Sequence, residues 1–220
     1  EEFIGDFEWF MKRHRESFTK EQFNRRMEYG QEVLHNYYQK YIHSFHTIVA
    51  IEQNIKNVVI DQVPIKGKLD KLEFYGKRVK VVDYKTGNPE NAKDKLKGPN
   101  DKQPNGGNYW RQAIFYKLLV DHFPNKEWVV EQAEFDFVEP DQKREYVKMP
   151  VRITPADIQT VRQQITSSWE KIQAHDFYTG CGKSDCHWCN FVKDHNLAIA
   201  LHETVAGEGG GEEEEDFFQN

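Results

Sequence analysis

Cysteine, long apolar runs and leader-like segments are all scarce in this chain of 220 residues, and each scarcity closes off a class of protein. The three cysteines crowd between 181 and 189, an odd set that cannot staple a secreted fold, so a reducing cytoplasm is the expected compartment. The longest apolar stretches, such as Ala113-Ile114-Phe115-Tyr116 and Leu118-Leu119-Val120, fall far short of the roughly 20 residues of a membrane-spanning helix. No membrane partner is expected. A basic start followed by an apolar core, the form of a secretory signal, is also missing. Opening at Glu1 rather than at methionine points to a piece of a longer polypeptide. Charge is plentiful, at 30% of residues, beside 38% apolar ones, enough for one core of ordinary size.

The net charge of −6 conceals a segregation. Six acids (Glu208, Glu212 to Glu215, Asp216) and no base occupy 206–220, a glycine- and glutamate-rich tail expected to be disordered. Between 66 and 117, 13 Lys and Arg stand against six Asp and Glu. Such a block is either a solvated face or a surface for phosphates.

Phe23, Met27, Leu34 and Tyr41 recur near the helical period, so residues 6 to about 45 predict helix and 1–46 an N-terminal helical layer. From Thr47 the texture becomes β. Ile48 to Ile51, Val58 to Ile60, an alternating run from Val63 to Phe74, and Val79 to Tyr84 after a turn at Gly76-Lys77 predict an antiparallel meander. The Gly- and Pro-rich stretch from Thr86 to Asn108 predicts a long mobile loop. A helix over Tyr109 to Phe123, strands at Val129 to Val138 and Tyr146 to Ile153, and a helix opened by Thr154-Pro155-Ala156-Asp157 complete a core spanning 47–205.

Asp70 and Asp83 lie on neighbouring strands of one short hairpin, and Lys85, two residues beyond Asp83, points to the same side of the sheet. These residues are either ordinary strand-end charges, with Asp70 paired to Lys68 or Lys71, or a site for a phosphate and a cation. Two carboxylates with a backbone carbonyl such as that of Tyr84 offer the hard oxygens that Mg²⁺ takes, and a lysine beside them can serve water or a phosphate oxygen.

Taken together, Gly67-Lys68-Leu69-Asp70, Val82-Asp83-Tyr84-Lys85-Thr86-Gly87 and Tyr109-Trp110-Arg111-Gln112-Ala113-Ile114-Phe115-Tyr116 resemble the motifs of the RecB-type branch of the PD-(D/E)XK nuclease superfamily, over about residues 28 to 195. The resemblance implies an α/β, restriction-endonuclease-like fold with a mixed, mainly antiparallel sheet flanked by helices. It implies a DNA nuclease dependent on Mg²⁺ or Mn²⁺, an exonuclease before an endonuclease, acting in end processing or repair beside a helicase domain in the same polypeptide. It places metal-binding acids at Asp70 and Asp83, the catalytic lysine at Lys85 and a signature helix pair at Gln112 and Tyr116. His35 and Glu52 fall near positions where relatives carry further ligands, although Gly30 and His35 are five apart where relatives show four.

Cys181, Cys186, Cys189 and His195 resemble the C-terminal part of an iron-sulfur set found in some members, with histidine in the last place and the upstream cysteine missing. A Zn²⁺ site on these four, an iron-sulfur cluster, and a remnant with reduced thiols all stay open. Lys93, Lys95, Lys97, Lys102 and Arg111 are the expected contacts to the DNA backbone. The rival readings are a catalytically weak module of this fold that binds DNA or a partner protein, and a stand-alone nuclease of the CRISPR-adaptation or junction-resolving kind.

Overall fold

Residues 2–176 and 185–194 are described in the computed structural model. One sheet runs in the order β1 (Val49–Ile60), β2 (Val63–Tyr75), β3 (Arg78–Lys85), β4 (Val129–Phe137) and β5 (Lys148–Val151). Neighbours pair antiparallel except β3 and β4, which are parallel. Among the described residues the helices are α1 (Glu2–Arg13), α2 (Lys20–Tyr41), α3 (Asn108–Asp121), α4 (Pro155–Gln173) and α5 (His187–Asp194). The chain divides into the units Glu1–Ile165 and Thr166–Asn220, with the division inside α4. This is the mixed, mostly antiparallel α/β arrangement that the sequence led us to expect.

The single N-terminal helix expected over 6–45 is in fact two. A short 3₁₀ turn at Arg15–Ser17 ends the first, and Thr19 starts the second with a reciprocal cap. Thr19 Oγ1 accepts the Gln22 amide and Gln22 Oε1 accepts the Thr19 amide. Periodicity reads through this break because the apolar spacing survives it, whereas the hydrogen bonding does not. The two apolar runs of 48–60 are one strand, bent where the pairing slips between Ile55 and Val58 and Asn57 takes a positive φ of 61°.

The two faces of the sheet are chemically unlike. Leu72, Val79, Val81, Ala133, Phe135 and Phe137 pack with Ala113, Ile114, Leu118 and Leu119 of α3 and Val161 of α4. Each buried Val, Leu, Ile or Phe among them contributes about 1.5–3 kcal/mol. The other face buries Lys71, Glu73, Glu134 and Asp136. There Lys71 pairs with Glu73 at 2.7 Å, Lys80 with Glu134 at 2.7 Å and Lys148 with Asp136 at 3.0 Å, so cations and anions balance. Helix α2 meets this face at β4 and β5, its Tyr37 hydroxyl donating to Asp136 Oδ2 at 2.7 Å and its Tyr41 ring lying 4.1 Å from the Lys148 ammonium.

The stretch from Thr86 to Asn108 is not the open loop its glycines and prolines predict. It folds into 3₁₀ turns at Pro89–Ala92 and Asp94–Leu96, buries Pro89 and Ala92, and closes on α3 through a 2.7 Å hydrogen bond from the Gly107 amide to the Lys97 carbonyl. A Cβ on Gly107 would collide with the carbonyl oxygen of Lys95, so only glycine permits this approach. No helix among the described residues is long and apolar enough to cross a membrane.

Candidate active site

The β2–β3 hairpin turns in two residues, Gly76 supplying a positive φ of 70°. Pairing runs from Tyr75 opposite Arg78 to Lys71 opposite Val82, and there the ladder stops. One step further the same register brings Asp70 level with Asp83, and Asp70 Oδ2 accepts the Tyr84 amide at 2.9 Å. A side chain thus takes over where strand pairing ends.

Asp83 is 4% exposed. Its Oδ1 accepts from Gln112 Nε2 and from the Tyr116 hydroxyl, each at 3.0 Å, and its Oδ2 lies 2.6 Å from Lys85 Nζ. Lys85 donates to Gln112 Oε1 at 2.9 Å, and Gln112 Nε2 reaches the Tyr116 hydroxyl at 2.7 Å. Four side chains therefore close a ring. Gln112 and Tyr116 enter it together because they stand one turn apart on α3, whose Trp110, Ile114 and Leu118 are buried in the core. The Tyr109 ring, one turn before Gln112, stacks on Phe135 at 4.8 Å and lies 4.7 Å from the Lys85 ammonium.

Burial is the main cause that holds the Asp70 carboxyl above the usual carboxylate range; the Tyr84 amide opposes this, and the Asp83 and Glu52 charges add to it. Burial, and then the Asp83 charge, push the Tyr116 hydroxyl up, so it stays a donor at neutral pH. Tyr84 is pushed up to about 12 by burial and the Asp136 charge.

The donor set fits a hard divalent cation. Asp83 Oδ2 is buried and takes no hydrogen bond, its contact with Lys85 having the distance of an ion pair without hydrogen-bond geometry. Asp70 supplies a second carboxylate, level with Asp83 across the hairpin and held in place by the Tyr84 amide. Among the described residues no three His, Cys, Asp or Glu side chains converge into a cage. Mg²⁺ does not require one, since it is commonly held by one or two carboxylates with water and substrate phosphate.

Other residues singled out in the sequence are placed differently. Glu52, at a positive φ of 52°, is exposed and paired with Lys68, so it acts on Asp70 by charge and not by contact. His35 is exposed on α2, two residues from buried Val33 on one side and from buried Tyr37 on the other, hence on the opposite face. Lys93 is paired with Glu90 and Lys97 with Asp94, at 2.6 and 2.7 Å. Arg111 donates to the carbonyls of Asn105 and Gly106, and Lys102 is exposed. Lys95 instead lies 5.0 Å from the centre of the Tyr109 ring. Cys186 and Cys189 are half-buried, whereas Cys181, His195 and the acidic tail lie outside the described residues. Glu139 carried no signal of its own in the sequence, yet its Oε1 accepts the Gly87 amide at 2.5 Å just beyond β3; the Tyr109 ring stands inside a quoted motif but was given no role there.

A family model described as the PD-(D/E)XK nuclease superfamily matches residues 5–193. No protein with a curated description matches the chain. Among solved structures, a protein of Eubacterium rectale provisionally named an exonuclease is 16% identical with a TM-score of 0.49, the match covering 94% of this chain and 76% of that one. Another, titled SSO0001, is 14% identical with a TM-score of 0.34, covering 57% of this chain and 50% of that one. The family match extends over most of the sequence and includes Asp70 and all four members of the ring, and the chain belongs to the PD-(D/E)XK nuclease superfamily.

Proposed function

We propose that the chain hydrolyses phosphodiester bonds in DNA with Mg²⁺, or Mn²⁺ in its place, working from ends in DNA end processing or repair, as the nuclease domain of a longer RecB-like polypeptide that also carries a helicase domain. The observation that carries this reading is the Asp83 carboxylate, buried, held on one oxygen by Gln112 and Tyr116, and left without a hydrogen bond on the other.

Asp70, Asp83 and the Tyr84 carbonyl are the groups that would hold the cation, which supplies Lewis acidity, lowering the pKa of bound water and offsetting phosphate charge. Gln112 and Tyr116 fix the Asp83 carboxylate so that its other oxygen keeps one direction. Lys85, hydrogen-bonded to Gln112, stands beside that oxygen, where its amine can orient or deprotonate the attacking water and its ammonium can balance the non-bridging oxygens. The basic block of 66–117 contacts the DNA backbone without reading sequence.

The rival reading is a catalytically weak module of the same fold that binds DNA without cutting it. End-labelled single-stranded and duplex DNA, incubated with Mg²⁺, Mn²⁺ or EDTA, separates the two. Metal-dependent shortening from the ends is the expected result. DNA that is bound but intact under every condition would transfer the assignment to the binding module, and cleavage of covalently closed circles would overturn the preference for ends.

A further inference from the structure

Resting on the nuclease reading, we infer that Lys95 and Tyr109 form a second cationic subsite beside Lys85, which takes the phosphodiester next to the one being cut. The lysines of the 93–97 turn have different environments. Lys93 and Lys97 are neutralised by Glu90 and Asp94, while Lys95 has no carboxylate partner among the described residues and faces the Tyr109 ring at 5.0 Å. The Lys85 ammonium lies 4.7 Å from the same ring. The two cations are therefore within about 10 Å of one another, a spacing that two neighbouring phosphates of one strand can bridge.

The position of Lys95 is set by backbone. Its turn is fastened to the start of α3 by the hydrogen bond from Gly107 to Lys97 and by the contact that leaves no room for a Cβ on Gly107. The Tyr109 ring is in turn fixed by its stack on buried Phe135. An aromatic face lowers the free energy of an ammonium without cancelling its charge, so the pair stays positive and selects an anion. Asp83 accounts for the cation of Lys85; among the described residues nothing comparable accounts for Lys95.

The test uses the full chain with Mg²⁺ and short end-labelled single-stranded oligonucleotides, each carrying one neutral methylphosphonate at a different distance from the bond being cut. For the wild type, neutralising one particular neighbouring phosphate should lower cleavage about tenfold through KM, the size of one charge-assisted contact. Lys95→Ala should show a similar loss on the unmodified strand and no further loss at that one position. Tyr109→Phe should keep the wild-type pattern and Tyr109→Leu should lose it. Effects of Lys95→Ala and of methylphosphonate that multiply at every position, or a pattern unaltered in Tyr109→Leu, would overturn the subsite. If the wild type cuts no unmodified strand with Mg²⁺ or Mn²⁺, the nuclease reading fails separately. The same oligonucleotides in a binding titration with EDTA then decide the subsite by the same non-additivity, and additive losses there overturn it.

Discussion

Lys85→Ala should destabilise the metal-free protein and, in the same variant, enlarge its response to a divalent cation. The ammonium sits 2.6 Å from Asp83 Oδ2, and the two side chains are 17% and 5% exposed, so little water is at hand to replace either partner. Removing one member of such a buried pair costs about 3–5 kcal/mol, because the other charge is left uncompensated. Gln112 and Tyr116 still donate to Asp83 Oδ1, which places the cost near the lower end of that range. At about 2–4 °C per kcal/mol for a chain of this size, a loss of about 3 kcal/mol lowers the melting temperature by about 6–12 °C. The carboxylate that remains is bare, and a ligand that binds only the folded state stabilises it in proportion to its occupancy. Melting curves in EDTA and in rising Mg²⁺, run beside cleavage assays, should show a gap to the wild type that narrows with Mg²⁺ while turnover stays absent. Equal melting temperatures in EDTA with equal Mg²⁺ responses would refute the placement of Lys85 on that oxygen.

Asp70→Asn should stabilise the metal-free protein near neutral pH. A carboxyl whose folded pKa is raised disfavours the folded state only where it is ionised, so the gain should shrink as pH falls through the raised value toward the ordinary carboxylate range; melting curves across that range check it, and a gain that grows toward acid would contradict it. Tyr116→Phe removes one donor to a buried carboxylate and should cost about 1.5–3 kcal/mol in denaturant titrations, with kcat lowered and KM for DNA little changed. Gly107→Ala should cost about 2 kcal/mol by forcing the 94–97 turn off α3, seen as a lower denaturation midpoint.

Gln112 and Tyr116 were named by resemblance and reach Asp83 from a distant helix, whereas Asp70, Asp83 and Lys85 were legible as a group because their relations are local, alternation along a strand beside a short hairpin. The class of fold was legible for the same reason, since β1 to β3 form a consecutive meander. What the sequence did not disclose depends on contacts far apart in the chain. Glu139 reaches Gly87 across 52 positions, and Tyr37 reaches Asp136 across 99. The Gly-rich stretch misled for a related reason, in that Gly107 is glycine because a backbone approaches it and not because the chain there is open. His35 and Glu52 were named by resemblance alone, and neither is brought into the ring; one faces solvent and the other is held by Lys68.

Because α2 meets the sheet at Asp136 and Lys148, which pair with one another, lifting the N-terminal helices would hydrate groups that water receives well. Lifting α3 would instead wet Ile114, Leu118 and Leu119. The two sides of the sheet should therefore open at different free energies, and amide exchange should report α1 and α2 as a separate, faster unit than α3 with β3. Uniform exchange across both would show that the ionic face is as tightly committed as the apolar one. With Asp83, Lys85, Gln112 and Tyr116 all on the slower side, a molecule whose N-terminal helices have come away still holds its acids, its lysine and their donors in place.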